Sequence, residues 1–152
     1  METITMTAVG VVQNGVREKM DENWGSVCSR ITLAPAFHGG LLGLGEFSHV
    51  IILTYLNQAS YEAGRHLQRH PRGLANLPLV GIFAQRAKDR PNRMGVTAVK
   101  LLAVGDDWLE VQGLDAIDGT PVLDIKPYFP AYDRQEDALT PAWVDFILKD
   151  YF

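Results

Sequence analysis

The chain holds a single cysteine, Cys28, among its 152 residues, so no disulfide can form within it. With no Cys or His partner at metal-ligand spacing, that residue is expected to be a buried thiol in a reducing compartment. No apolar run approaches the roughly 20 residues a helix needs to span a bilayer. The opening Met1-Glu-Thr-Ile-Thr5 has neither the basic nor the apolar stretch of a secretion signal, so a cytoplasmic protein is expected. Several catalytic signatures are missing too. There is no Walker loop, and Gly43-x-Gly45 lacks the third glycine and the strand-to-helix context of a dinucleotide fingerprint. No Gly-x-Ser-x-Gly elbow is present. His66 and His70 have helical i, i+4 spacing, but no Glu follows His66, so no metal centre is expected. His49 is expected to be a hydrogen-bonded histidine at a strand start.

What remains is an ordinary globular composition, 47% hydrophobic and 21% charged, read as one domain over residues 1–152. The net charge of −4 argues against a general nucleic-acid coat but conceals an asymmetry. Between Arg65 and Arg93 lie seven cations (Arg65, Arg69, Arg72, Arg86, Lys88, Arg90, Arg93) against one acid, Asp89. That region carries +6 and the remainder −10. One cationic face could attract a phosphate-bearing ligand, or the arginines could pair with the acidic remainder.

Short β-branched segments dominate the pattern and favour strands. They run Thr5–Gln13, Val27–Ala34, His49–Tyr55, Leu79–Ala84, Met94–Val104, Trp108–Leu114 and Pro121–Lys126, separated by Gly, Pro, Asn and Asp clusters. Gly105-Asp106-Asp107 reads as a hairpin connection. Inward and outward positions do not alternate cleanly in Met94–Val104, which predicts a strand covered on both faces. The whole reads as an all-β chain, a compact β-barrel built from a mixed sheet folded on itself. A short C-terminal helix is expected, with Thr140 as N-cap, Pro141 in the first position and an apolar stripe of Trp143, Phe146, Ile147 and Tyr151. Such a stripe belongs to a core or a subunit contact. A second short helix is expected over Ser60–Gln68, with its Arg and His residues outward.

Two motifs carry the chemistry. Gly81-Ile-Phe-Ala-Gln-Arg-Ala-Lys-Asp-Arg-Pro-Asn-Arg-Met-Gly95 runs from one strand candidate to the next and sets cations around a Pro-Asn turn, an anion-binding loop. Asp115-Ala-Ile-Asp-Gly-Thr-Pro-Val-Leu-Asp124 is as acidic as the first is basic. Asp118-Gly119 is a strong turn signal. Asp115 and Asp118 around that turn could accept bonds from a ribose or an amine, or attract a sulfonium. Alternatively Asp118 only organises the turn, and Asp124 pairs Lys126 or a nearby Arg.

These two motifs, with Ala8-Val-Gly-Val-Val12 and Leu44-Gly-Glu-Phe-Ser-His49, resemble the TsaA-like family, that of the tRNA methyltransferase TrmO. The similarity runs from about residue 6 to Tyr128. It implies a β-barrel that binds S-adenosyl-L-methionine near a homodimer interface and methylates N6 of threonylcarbamoyl-adenosine beside the anticodon of tRNA. It implies no membrane and no metal. By position, Arg86 ends the family's Phe-Ala-Thr-Arg motif, with Gln85 in place of Thr. Val96, Asp115, Ala116, Ile117, Asp118 and Gly119 match cofactor-lining positions. Leu56 and Asn57 stand where many relatives have Phe-His. Asp21-Glu-Asn-Trp24-Gly-Ser26 occupies the place of a Pro-Arg-Gln-Pro-like segment, so Trp24 is expected at the cofactor. Many bacterial members carry an extra C-terminal domain, and none is expected here. Arg90, Asn92 and Arg93 are the expected RNA contacts, with Arg69 and Arg72 extending the track. No catalytic base is assigned. Two alternatives stay open, a cofactor-binding module without RNA methylation and a methyltransferase of a small metabolite.

Overall fold

The computed structural model describes residues 2–18 and 20–152. Its architecture follows from period-two alternation. In β3 (His49–Tyr55), Val50, Ile52 and Thr54 are buried, while the residues between them face outward. Ser29, Ile31 and Leu33 of β2 (Cys28–Leu33) and Leu109 and Val111 of β7 (Trp108–Gln112) point inward in the same way. Val12 of β1 (Gly10–Gln13) and Val122 of β8 (Pro121–Pro127) join them in one apolar core. The sixth strand, β6 (Met94–Val104), is the longest.

These six strands close into a barrel in the order β1-β2-β7-β6-β3-β8. All six pairings are antiparallel, so the expected barrel is present, but its sheet is not mixed. Closure rests on a short seam, Gly10 opposite Val122 and Val11 opposite Pro121. Beside it, the Val9 N–H donates to the Val122 carbonyl at 2.7 Å. Gly105–Asp107 forms the expected hairpin connection, with the Gly105 N–H donating to the Trp108 carbonyl at 2.8 Å.

Several expected boundaries shift for local reasons. Residues 5–9 are not strand, and Ile4 and Met6 lie exposed ahead of β1. Only Val80–Gly81 (β5) extends the Leu79–Ala84 segment, pairing with β4 (Gln68–Arg69) in a separate two-stranded ribbon. Ile82–Ala84 then turns in a 3-10 turn that buries Ile82. The helix expected over Ser60–Gln68 shrinks to α1 (Ala63–His66). His66 faces inward rather than out, because its Nδ1 accepts the Glu62 N–H at 3.0 Å. Helices α2 (Pro130–Asp133) and α3 (Ala142–Leu148) follow the barrel. Pro141, not Thr140, is the N-cap of α3, and no side chain caps it. Phe146 of its apolar stripe stays exposed, while Trp143, Ile147 and Tyr151 are half-buried.

Two further corrections concern faces. Cys28 is exposed, not buried, because the inward positions of β2 begin at Ser29. β6 does alternate through its middle, with Thr97 and Val99 buried and Val96, Ala98 and Lys100 exposed. The irregularity in its sequence has a specific cause. Leu101 faces Val111 but Ala103 faces Glu110, so Leu102 is an extra residue, a β-bulge, that re-aims the strand end. No described helix is long and apolar enough to cross a membrane.

Candidate functional site

The first residues of β6 collect most of the candidate positions. The Thr97 side chain points inward and its hydroxyl donates to Oδ1 of Asp115. One residue earlier, Val96 points outward and is half-exposed, and its carbonyl accepts a bond from the Arg86 guanidinium. Arg86 and Asp115 are thereby tied to adjacent residues of β6. Leu56 joins them from the end of β3. Its N–H donates to the Arg93 carbonyl at 2.8 Å, and its side chain packs over Gly95. An added Cβ at Gly95 would come within 2.5 Å of Thr54 Oγ1 and 3.3 Å of Leu56 Cδ2. Only glycine allows this approach. Asn57 is exposed beside Leu56.

The Asp115–Gly119 stretch divides its labour. Asp115 is half-buried, and its second oxygen accepts the Tyr151 hydroxyl at 3.1 Å. Burial first, then the Asp115 charge, raise the Tyr151 phenol far above its ordinary value, so it acts as a donor. Asp118 behaves differently. Its Oδ1 accepts the backbone N–H groups of Asn14 at 2.8 Å and Gly15 at 3.1 Å, clamping the turn after β1. Those two bonds lower its pKa. The turn-organising reading therefore accounts for the Asp118 carboxylate. Ala116 is buried, and its carbonyl accepts the Asn14 side-chain amide at 2.8 Å. The Ile117 carbonyl accepts the Thr120 hydroxyl at 2.7 Å, and Gly119 takes the left-handed conformation the turn requires, φ +78°. Asp124 pairs Lys126 at 2.6 Å, as the simpler reading expects.

Trp24 is buried, and its indole N–H donates to the Met20 carbonyl at 3.0 Å. Its backbone N–H donates to the Tyr151 carbonyl at 2.9 Å. Through Tyr151 the Trp24 segment is connected to Asp115.

The cationic loop is held mostly by neutral carbonyls. Arg90 donates to the Gln85 carbonyl at 2.9 Å, and Arg93 to the Ala59 carbonyl at 3.0 Å and to the Tyr55 hydroxyl. Arg72 donates to the Asp21 carbonyl at 3.0 Å. Within the cluster, Asp89 takes Lys88 at 3.0 Å and Arg69 at 3.7 Å. Burial alone would raise the Asp89 pKa, but the Lys88 bond, the Ser60 N–H and the two positive charges together lower it. Asn92 and Arg93 are consecutive residues with positive φ, at 63° and 50°. This geometry folds the loop back across the start of β6 and leaves Asn92 exposed.

Sequence reasoning missed Thr97, Tyr55 and Gln85 and placed Tyr151 only in an apolar stripe. Gln85 stands where the resemblance expects Thr. It is buried, and its amide donates to the Arg69 and Val80 carbonyls at 3.0 and 3.2 Å, fastening both strands of the β4–β5 ribbon to the loop. His49 takes the expected strand-start role, with its Nδ1 2.9 Å from the Ser48 hydroxyl. Two open cavities lie elsewhere. One, of about 470 Å³, lies between the Gly40–Leu44 loop and β8. The other, of about 510 Å³, is lined by Ser48, His49, Ala98, Tyr128, Pro130 and Arg134. Among the described residues no three of His, Cys, Asp or Glu come together as metal ligands.

Residues 20–134 match the model of the tRNA-methyltransferase O N-terminal domain. The chain belongs to the TrmO family. The crystal structure of TrmO from Pseudomonas aeruginosa superposes with a TM-score of 0.75 at 31% identity, over 93% of this chain and 63% of that one. A probable S-adenosyl-L-methionine-binding protein of Methanothermobacter thermautotrophicus is 37% identical over 134 residues, 86% of this chain and 93% of that protein. The human tRNA (adenine(37)-N6)-methyltransferase is 38% identical over 110 residues, 72% of this chain but 24% of its own length. A probable S-adenosyl-L-methionine-binding protein of Pyrococcus abyssi is covered over 55% of its length, so the chain spans only part of several TrmO relatives. The TrmO match covers β2 to α2, including the cationic loop and the Asp115–Gly119 turn, and ends before α3.

Proposed function

We propose that the chain binds S-adenosyl-L-methionine at the start of β6 and methylates an adenosine in tRNA, most specifically N6 of threonylcarbamoyl-adenosine beside the anticodon. The carrying observation is the convergence of Arg86, Leu56, Val96 and Asp115 on Gly95–Thr97, next to a cationic loop. The donor set suits the cofactor. An oriented carboxylate can accept ribose hydroxyls or the methionine amine, a guanidinium can take the methionine carboxylate, and Leu56 and Val96 offer apolar surface to a base. When bound, the cofactor supplies an electrophilic methyl group on a sulfonium. The chain's own residues bind and orient. Alignment of reacting groups to about 3–3.5 Å can by itself contribute several kcal/mol.

The charge pattern favours an RNA acceptor over a small metabolite. Arg72, Arg86, Arg90 and Arg93 are bonded to carbonyls rather than carboxylates. Their charges are oriented but not cancelled, as phosphate binding requires. Val96 and Leu102 leave apolar surface on the outside of β6, and a second copy docking there would cover the outer half of the site. A homodimer and a cytoplasmic location are part of this proposal.

The test is to incubate pure protein and radiolabelled cofactor with total tRNA from a strain lacking the enzyme. Label transfer that depends on the threonylcarbamoyl group supports the proposal. Tight cofactor binding with no transfer to RNA would point instead to a binding module.

A further inference from the structure

The segment after α3 lies outside the matched domain, yet it closes onto the candidate site. The Asn23 N–H donates to the Asp150 carbonyl and the Trp24 N–H to the Tyr151 carbonyl, both at 2.9 Å. The Tyr151 hydroxyl reaches Asp115 at 3.1 Å. The Arg72 guanidinium sits 5.8 Å from the centre of the Tyr151 ring while bonding the Asp21 carbonyl. Gly25 lies flat against the backbone of Phe152, where an added Cβ would come within 2.6 Å of a carbonyl carbon. Tyr151 and Phe152 also pack edge to face, 4.9 Å between ring centres. Residues 150–152 thus form a strap running from the Asn23–Gly25 segment to the acidic turn.

Asp115 receives one hydroxyl on each oxygen, Thr97 from the barrel wall and Tyr151 from the strap. The wall donor is fixed by the β3–β6 ladder, in which Thr97 lies opposite Ile52. The strap donor is fixed only if residues 150–152 stay docked. A carboxylate held by a single hydroxyl can rotate about its last bond, whereas one held on both oxygens presents its remaining lone pairs in one direction.

We propose that Tyr151 is a positioning residue for the cofactor. Through its hydroxyl, the strap sets the direction in which Asp115 accepts hydrogen bonds and holds the Trp24 segment beside that carboxylate. This rests on the reading of Asp115 as a cofactor ligand, and the experiment separates the two.

Cofactor affinity is measured by calorimetry for the wild type, Asp115→Asn, Tyr151→Phe and the double variant. Tyr151→Phe keeps the ring against Arg72 and removes only the hydroxyl. It is expected to weaken binding by about tenfold, the scale of one hydrogen bond to a charged group. In the Asp115→Asn background the same change should add almost nothing, since the charged acceptor that the hydroxyl orients toward the cofactor is gone. Amide exchange of ligand-free protein supplies a second readout. Asn23 and Trp24 should stay protected in Tyr151→Phe and lose protection in Gly25→Ala, which pushes the strap off. If Asp115→Asn leaves affinity unchanged, the cofactor reading of Asp115 fails. If Asp115→Asn weakens binding but Tyr151→Phe does not, the positioning role is overturned on its own. Tighter binding in Tyr151→Phe would also overturn it, showing that the hydroxyl competes with the ligand.

Discussion

The guanidinium of Arg93 lies over the ring of Tyr55, 4.7 Å from its centre, and donates to the hydroxyl of the same residue. With a further bond to the Ala59 carbonyl, three contacts hold a residue whose φ of 50° costs a side chain on the order of 1 kcal/mol. Arg93 therefore anchors the loop as well as charging it. Arg93→Ala is expected to lower stability by about 2 kcal/mol in urea unfolding, from the lost charge-assisted and cation–π contacts. Arg93→Gly should lose less, because glycine accepts that φ without strain. Equal losses would remove backbone strain from the account.

Among the described residues the Arg90 side chain makes one bond, to the Gln85 carbonyl, and is the cleaner probe of RNA contact. Arg90→Ala should leave cofactor affinity intact and weaken tRNA binding at low salt. The slope of log affinity against log salt should fall by roughly one, as for the loss of a single phosphate contact. Filter binding across a salt series reads this directly. An equal loss of cofactor affinity would mean that the loop does not separate the two ligands.

Arg86→Ala tests the other half of the loop. Calorimetry should show cofactor binding at least several-fold weaker, with tRNA binding in its absence less affected. Unchanged affinity would take Arg86 out of the cofactor site and leave it as a tie to Val96.

Gly95 packs so closely on Thr54 and Leu56 that Gly95→Ala should cost about 1–3 kcal/mol by overpacking. The contact at 2.5 Å is with Thr54 Oγ1. Thr54→Ala should therefore relieve much of the loss, and a double-mutant cycle in chemical unfolding measures the relief. Additive losses would place the strain elsewhere.

Asp118 makes a prediction in pH. Its native pKa is lowered from 3.8 by the Asn14 and Gly15 N–H bonds. Below that value the unfolded chain takes up a proton that the native turn refuses. The contribution of Asp118 is thus complete above the ordinary carboxylate range and is lost as pH falls through the lowered native value. The difference in melting temperature between wild type and Asp118→Ala should be widest near neutrality and should close in acid. A gap that persists unchanged in acid would show that the carboxylate is not the relevant group.

Strand positions were legible where side chains alternate between core and water. The bounds of β3 and β6 follow from the residues alone, and β7 and β8 differ from expectation only at one end. Short-range periodicity could not show which partner a strand would find. Residues 5–8 have strand-like composition but lie outside every ladder of the described residues, and Ile82 ends its strand by turning into the core. At the site, Arg86 and Asp115 were recoverable from long motifs. Thr97 and Tyr151 were not, because a hydroxyl aimed at one carboxylate leaves no periodic trace and Tyr151 lies 36 residues from Asp115. His66 and Cys28 were assigned by residue type, whereas strand parity and a local backbone bond decided their faces.

The closed wall has a consequence for how such a protein can change. The six strands close into a ring, yet the β6–β7 ladder spans only Lys100–Val104, so among the described residues Met94–Val99 has a strand neighbour on the β3 side alone. On the outer face of β6, contacts are made by side chains. Positions such as Val96 and Leu102 point away from the core and can be exchanged without repacking it. Partner choice can thus drift independently of the interior that keeps the barrel folded.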